Sequence, residues 1–348
     1  MKVLLISPLP PPAGGIASWT KIYLASNKVK ENNVDIVNIA VSGERVQSYT
    51  KINITDEIKR FIKIIMNLNT KINSNKYDIV HLNSACSPKG LLRDYLCALM
   101  VKRKGIKLVS HFRCDVTYML KGNFARFIFK KLCEKTDRIF SLNTVSKEYI
   151  KSDSGIDSII MPNFIDNNII KNTFTVNPNI KKIIYVGHVM KSKGCYEIIE
   201  AAKKLADKDF ILVGHITEEF RNIALPDNIK LIGEVEKNEV FNYLNNADLF
   251  LFPTYSEGFP NVIIEAMACG LPIIASAVGA IPDMIEDKGG YLIDVGNVQQ
   301  IIDAIIKSED SNLRQSMSDW NIEKVKKSYL LDTVMDKIFD EYEKLVIK

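Results

Sequence analysis

No apolar run in this 348-residue chain reaches the ~18–20 residues that a membrane-spanning helix requires. Residues 1–7 turn into Pro-rich sequence too soon to form the core of a secretory signal, and they read as a first buried strand. The six cysteines, Cys86, Cys97, Cys114, Cys133, Cys195 and Cys269, never fall at C-x-x-C spacing. They are expected to be reduced, small buried hydrophobes in a cytoplasmic protein, in place of disulfides or a metal cage. There is no G-x-G-x-x-G and no P-loop pattern, so neither dinucleotide binding nor ATP hydrolysis is signalled. No nucleic-acid motif is present, and no short-period repeat or low-complexity tract interrupts the chain. No cofactor and no metal are expected.

What is present is ordinary for a globular protein: 47% hydrophobic and 25% charged residues, in a length that suits two domains. The net charge of +5 conceals an asymmetry. Residues 1–170 hold 26 Lys and Arg against 14 Asp and Glu, and the remainder 20 against 27. A basic first half suits an anionic partner such as a phosphorylated acceptor or an anionic membrane surface.

Short apolar runs alternate with amphipathic stretches, which implies parallel strands joined by crossover helices. Strands are expected at 2–7, 34–39, 78–82, 107–111, 138–142 and 158–161. A second series follows at 182–187, 210–214, 229–233, 248–252, 272–276 and 291–294. Helical spacing of Ile58, Ile62, Ile65 and Leu68 marks one crossover. Residues 167–180, Asn-rich and containing Pro178, read as a linker. The expected organisation is therefore two doubly wound, Rossmann-like α/β domains with a cleft between them, at 1–166 and 181–329. A terminal helix at 330–348 would present Val334, Ile338, Tyr342 and Leu345 on one face and pack back on the first domain.

In such sheets ligands bind beyond the carboxyl ends of the strands. Chemistry-bearing residues should then follow strands, and one stretch, 253–272, does so conspicuously. It reads as strand end, loop, helix and stop. Pro260 suits the first turn of a helix and Gly270 its end. The loop at 256–259 thus lies at a helix N-terminus, where backbone N–H groups favour anions. Glu257 precedes the helix and Glu265 lies about two turns into it. The spacing makes them separate hydroxyl-binding groups flanking an anion site, not an acid/base pair. Taken singly, either would more simply be a capping or solvated carboxylate.

The run Ser256-Glu257-Gly258-Phe259-Pro260-Asn261-Val262-Ile263-Ile264-Glu265-Ala266-Met267-Ala268-Cys269-Gly270 resembles the Glu-x7-Glu signature of the retaining glycosyltransferases of family 4, which have the GT-B fold. Four further segments resemble that family in order. Ser7 to Ile16 looks like its first-strand loop. Met161-Pro162-Asn163-Phe164-Ile165-Asp166 looks like its Pro-Asn-x-x-Asp segment. Val186 to Gly194 resembles its Gly-Arg-x4-Lys-Gly phosphate segment, with His188 where the family has Arg. Gly279-Ala280-Ile281-Pro282-Asp283 resembles its Gly-Gly-x-Pro-Glu turn, with Ala280 and Asp283 as departures. The resemblance implies that Glu265 binds ribose hydroxyls and Glu257 the transferred sugar. Gly258, Phe259, Pro260, Asn261 and Val262 would hold the diphosphate and sugar through the backbone, and Lys193, with His188, would face the diphosphate. Val235 would lie beside the base. Gly14 and Gly15 would let the first loop approach the substrates, and His111, at a strand end, would face the donor sugar with Glu257 as the catalytic pair.

These implications describe a retaining, metal-independent, hexosyltransferase-type enzyme. Its donor would be a UDP-sugar, with GDP-sugar next. Its acceptor would be a glycan or a lipid-diphosphate-linked saccharide in bacterial surface polysaccharide synthesis. It would be cytoplasmic or peripheral on the inner face of the plasma membrane. A non-catalytic sugar-nucleotide-binding homologue and an epimerase of the same fold are the rivals. Elsewhere, Asp207-Lys208-Asp209 matches a metal-binding D-x-D but sits at the entry end of a strand, so it reads as a solvated turn. His81 and His215 read as structural histidines. The mixed aromatic and basic segment 121–132 reads as a core-facing helix with a solvated basic back, or as a surface for anionic lipid.

Overall fold

The computed structural model describes residues 1–12, 14–40, 54–170 and 176–347. Residues 171–175 of the expected linker therefore lie outside the described part. The chain forms two compact units, Met1–Phe164 with Leu331–Lys348, and Ile165–Leu330.

The sheet of the first unit holds β1 (Lys2–Ser7), β2 (Asn33–Asn38), β3 (Ile79–Ser84), β4 (Lys107–Phe112), β5 (Arg138–Ser141) and β6 (Ile159–Ile160). Their order is β2-β1-β3-β4-β5-β6, and every pair is parallel. β3 and β4 are buried on both faces except for Lys107 at the entrance, which is why they appear in the sequence as continuous apolar runs. The two faces alternate along each strand. Leu4 and Ile6 pack with Val80, Leu82 and Leu108 on one side. Val3 and Leu5 pack with Ile79, Val109 and Phe140 on the other. The second face is covered by Trp19, Tyr23 and the terminal helix Leu331–Val346, whose Val334, Ile338, Tyr342 and Leu345 all enter this core.

The helix Ile54–Ser74 turns a different side inward from the one its sequence suggests. Ile64, Leu68 and Ile72 are buried, whereas Ile58 and Ile62 are 54% and 49% exposed. The helix is apolar on more than one stripe, and the i, i+4, i+8 row that meets the sheet is selected by packing, not by spacing alone.

The second unit repeats the plan with β7 (Lys182–Val186), β8 (Asp209–Val213), β9 (Ile229–Gly233), β10 (Leu249–Phe252), β11 (Ile273–Ser276) and β12 (Gly290–Ile293). The order is β12-β11-β10-β7-β8-β9, again all parallel. Strand order reverses direction once in each unit, between β1 and β3 and between β7 and β10. At such a point neighbouring crossovers leave in opposite directions and open a crevice beyond the strand ends.

Candidate functional site

In the second unit, the chain leaving β7 forms a short 3-10 turn, Lys191–Lys193, before the helix Cys195–Lys204. Gly194 joins the two at φ +76, a conformation that L side chains rarely adopt. A Cβ there would also lie 2.0 Å from the Pro253 carbonyl oxygen, so the turn rests directly on the end of β10. Tyr255 N–H donates to the Ser192 carbonyl at 3.1 Å and pins the same contact. The result is that Lys193 Nζ reaches Glu257 Oε1 at 2.5 Å, with 27% and 16% of the two side chains exposed.

The loop carrying Glu257 is held from its other side by the turn at Gly279. A Cβ on Gly279 would fall 1.9 Å from the Glu257 carbonyl oxygen, and Ala280 N–H donates to the Gly258 carbonyl at 3.1 Å. The departure at Ala280 is thus accommodated by a fully buried methyl. The helix Asn261–Ala268 then begins at Pro260, whose side chain offers no cap. Its start presents the positive end of the helix dipole with no acidic residue in the first turn.

Glu265 projects from that helix and is 14% exposed, 3.5 Å from Lys237 Nζ. Burial pushes its carboxyl above the usual carboxylate range, and Lys237 opposes the shift. The two glutamates therefore have separate lysine partners and separate surroundings. Lys237 was not legible as a site residue, because it opens the helix Lys237–Asn245 some thirty residues upstream. Val235 is half-buried in the short connection just before that helix.

His188 lies past the end of β7 with an exposed side chain. Its carbonyl accepts from Tyr185 Oη at 2.8 Å, and its ring centroid is 5.8 Å from that of His215. His215, expected from sequence to be a structural histidine, lies largely open to solvent. Its side chain is 47% exposed and 3.9 Å from Glu234. The exposure follows from its place beyond the carboxyl end of β8. At Asp207-Lys208-Asp209, Lys208 Nζ pairs with both Asp207 and Glu309, so a cation already occupies the turn.

The remaining expected residues belong to the first unit. Gly14 and Gly15 begin the helix Gly15–Ala25 after β1. His111, near the end of β4, is fully buried. Its ring stacks on His81 at 5.5 Å, meets Trp19 and Phe140 edge-on, and accepts at Nε2 from Arg113 Nη1 at 3.0 Å. Arg113 lies over the Trp19 ring and donates to Asn163. His81 in turn bonds the Tyr342 hydroxyl of the terminal helix. Burial lowers both imidazoles, with the Arg113 guanidinium adding to the effect, His81 to about 3 and His111 well below its usual range. Sequence spacing alone did not reveal that Arg113 would be the partner of His111. The lone signal was a cation two residues after a buried strand.

The segment at 121–132 forms part of the helix Asn123–Lys135. Ala125, Ile128, Phe129, Leu132 and Cys133 face the core, but Phe124 and Phe127 are 64% and 57% exposed. With Tyr118, Lys121, Arg126 and Lys130 they make an exposed aromatic and basic patch. No helix of the described residues is long and apolar enough to cross a membrane.

Chemically, the second-unit site offers a cation, an uncapped helix start and two carboxylates in separate places. That set suits a charged diphosphate next to vicinal hydroxyls. Residues 180–309 match the sequence model of the family described as Glycosyl transferases group 1. The chain is 26% identical over 293 residues to the N-acetyl-alpha-D-glucosaminyl L-malate synthase of Bacillus anthracis, covering 76% of this chain and 73% of that protein. It is 24% identical to the capsular polysaccharide biosynthesis glycosyltransferase CapM of Staphylococcus aureus, covering 90% and 91% of the two chains. It is 23% identical to the UDP-Gal:alpha-D-GlcNAc-diphosphoundecaprenol alpha-1,3-galactosyltransferase of Escherichia coli, covering 82% and 80%. The fold matches the crystal structure of Anabaena HepE in complex with UDP, with a TM-score of 0.77 and 16% identity over 99% of this chain and 100% of that one. The architecture is therefore GT-B.

Proposed function

The chain belongs to the group 1 glycosyltransferases of family 4, and from that premise we propose that it transfers a hexose, with retention, from a UDP-sugar to a lipid-diphosphate-linked saccharide in surface polysaccharide assembly. The observation that carries this reading is the Lys193–Glu257 pair at 2.5 Å, set at the start of the helix that bears Glu265. A diphosphate placed there meets Lys193 and the helix N-terminus, which stabilise the charge developing as it departs. Glu265, beside Lys237, accepts hydrogen bonds from the ribose hydroxyls. Glu257 accepts from a hydroxyl of the transferred sugar and keeps Lys193 oriented.

In this scheme the bond from the sugar anomeric carbon to the diphosphate breaks, and a bond from the same face to the acceptor oxygen forms. The acceptor proton passes to the leaving phosphate oxygen. The protein contributes positioning and charge, so the step draws on no covalent nucleophile and no divalent ion. His111 enters as an orienting group through Arg113, in keeping with its burial. UDP is favoured over GDP by the complex of HepE and by the donor in the name of the E. coli relative.

A panel of UDP- and GDP-sugars, with and without a chelator, tests the scheme by nucleoside-diphosphate release and by the anomeric configuration of the product. Release that depends on a UDP-sugar and survives chelation is expected. Tight UDP binding with no transfer to any lipid-linked acceptor would favour the non-catalytic reading. The exposed patch around Phe124 and Phe127 supports peripheral contact with an anionic membrane, where a lipid-linked acceptor resides.

A further inference from the structure

All six cysteines are free thiols, and two of them lie just beyond the carboxyl ends of neighbouring strands in the first unit. β3 and β4 run parallel in register, with Ser84 opposite Phe112 as their last partners. Arg113 N–H donates to the Ser84 carbonyl at 2.7 Å, which carries the pairing one residue further. Cys86 stands two residues past Ser84, and Cys114 two residues past Phe112. Neighbouring strands run ~4.8 Å apart, inside the ~4.4–6.8 Å that separates the Cα atoms of a disulfide. Residues two apart along a strand point to one face. Both cysteines accordingly pack against the core that holds Leu82 and Phe112, and the two thiols are side-chain neighbours.

Their surroundings differ. Cys86 is fully buried, beside the Asp94 carboxylate. Burial pushes its thiol well above the usual range, and the Cys114 sulfur and Asp94 add to the shift. Cys114 is half-buried and lies near Arg113, a buried guanidinium that donates to His111 and Asn163 and attracts the Cys114 sulfur. A partly exposed thiol beside a cation is the one an oxidant reaches, and an enclosed thiol next to it is placed to complete a bond.

Cys86 also has φ +54, a left-handed backbone that glycine adopts freely and other residues rarely do. Besides glycines, only Cys86 and Glu286 do so among the described residues. Its N–H is held by Ser84 Oγ at 3.2 Å. A thiol kept where glycine would sit without strain points to a role for the sulfur.

We propose that Cys86 and Cys114 form an oxidation-sensitive pair that closes to an intrachain disulfide with hydrogen peroxide and thereby slows turnover reversibly. The Cys114 thiolate attacks one peroxide oxygen, the O–O bond breaks, and the departing hydroxide leaves as water with the thiol proton. Cys86 then attacks the sulfur of the resulting sulfenic acid. The S–S bond forms, the S–O bond breaks, and the hydroxyl leaves with the Cys86 proton as a second water. Two thiols are oxidised and one peroxide is reduced. An S–S bond is shorter than any contact between free thiols, so closure draws Cys114 towards Cys86 and shifts its chain neighbour Arg113. Arg113 holds His111 and Asn163. Ser87, next to Cys86, caps the helix Pro88–Arg103 by accepting from Gly90 N–H at 3.3 Å. The loss of turnover rests on the glycosyltransferase reading; the disulfide does not.

The test treats the full chain with hydrogen peroxide. Titratable thiols in the unfolded chain should fall from six to four. Tryptic digestion without reductant should yield residues 77–89 joined to residues 114–121. Turnover with a UDP-sugar should fall several-fold and return with dithiothreitol. Cys114→Ser should form no bridge and keep its turnover through the same treatment. Cys86→Gly, which suits the left-handed backbone, should also form no bridge, and its Cys114 should stop at the sulfenic acid and be captured by dimedone. Six thiols after peroxide, or a bridge that omits either residue, overturns the pair. A Cys86–Cys114 bridge with unchanged turnover overturns the switch. A bridge in a chain that releases no nucleoside diphosphate from any donor would instead sustain the pair and refute the transfer reading.

Discussion

Glu265 carries a conflict between folding and binding. Its carboxyl is held above the usual range by burial, so in the free protein the ionised form is disfavoured relative to the unfolded chain. The sign follows directly. Between the unfolded and folded values the native state binds more protons than the unfolded state, so stability falls as pH rises through and above the ordinary carboxylate range. Glu265→Gln removes that cost, and the variant should melt higher than wild type at pH 7, with the difference vanishing near pH 4. The same change should weaken UDP-sugar binding by about 1.5–3 kcal/mol, the worth of a hydrogen bond to a charged group. Thermal unfolding against pH and donor calorimetry check the two halves. A variant that is less stable at pH 7 would contradict the buried-charge account, and equal donor affinity would contradict the ribose role.

The strand–loop–helix units give the site its rigidity. Gly194 has to be left-handed and has to touch the Pro253 carbonyl, so two independent constraints meet in one residue. Gly194→Ala should cost at least the ~1–2 kcal/mol of a left-handed L residue, and the contact with Pro253 adds to it. Because the turn carries Lys193, turnover should fall further than stability alone explains. Denaturant midpoint and kcat measured side by side check this. The helix Asn123–Lys135 makes a different statement. Its inward face packs in the core, but its outward face keeps two phenylalanines in solvent beside cations. Phe124→Ser with Phe127→Ser should leave the melting temperature nearly unchanged and reduce co-sedimentation with anionic vesicles. Wild-type binding should weaken as salt screens the basic residues over about 8 Å at physiological ionic strength. A wild-type chain that ignores anionic vesicles at low salt would end the membrane reading.

At the scale of the whole chain, the last eighteen residues complete a core that begins at residue 3. Val334, Met335, Ile338, Phe339, Tyr342 and Leu345 are all buried against β1, β3 and Trp19. Burying each large apolar side chain is worth about 1.5–3 kcal/mol. The sum rivals the ~5–15 kcal/mol net stability of a domain. Removal of residues 331–348 should therefore abolish cooperative unfolding of the first unit, as seen by circular dichroism. It would also leave His81 without the Tyr342 hydroxyl. A truncated chain that melts as the full one does would refute this dependence.

The twelve strands of the described residues were visible from the sequence, the inner ones most plainly, because strands of a parallel sheet buried on both faces require near-continuous Val, Ile, Leu and Phe. The helix start after Pro260 and the stop at Gly270 were visible because caps are local chemistry, settled by neighbours in the chain. What depends on distant residues was not visible. The inward stripe of the helix Ile54–Ser74, the Lys237 partner of Glu265, and the packing of Trp19 on His111 each join positions far apart in sequence. Periodicity and capping are written within a few residues, whereas partners across the sheet are chosen by packing, which no short window of sequence contains.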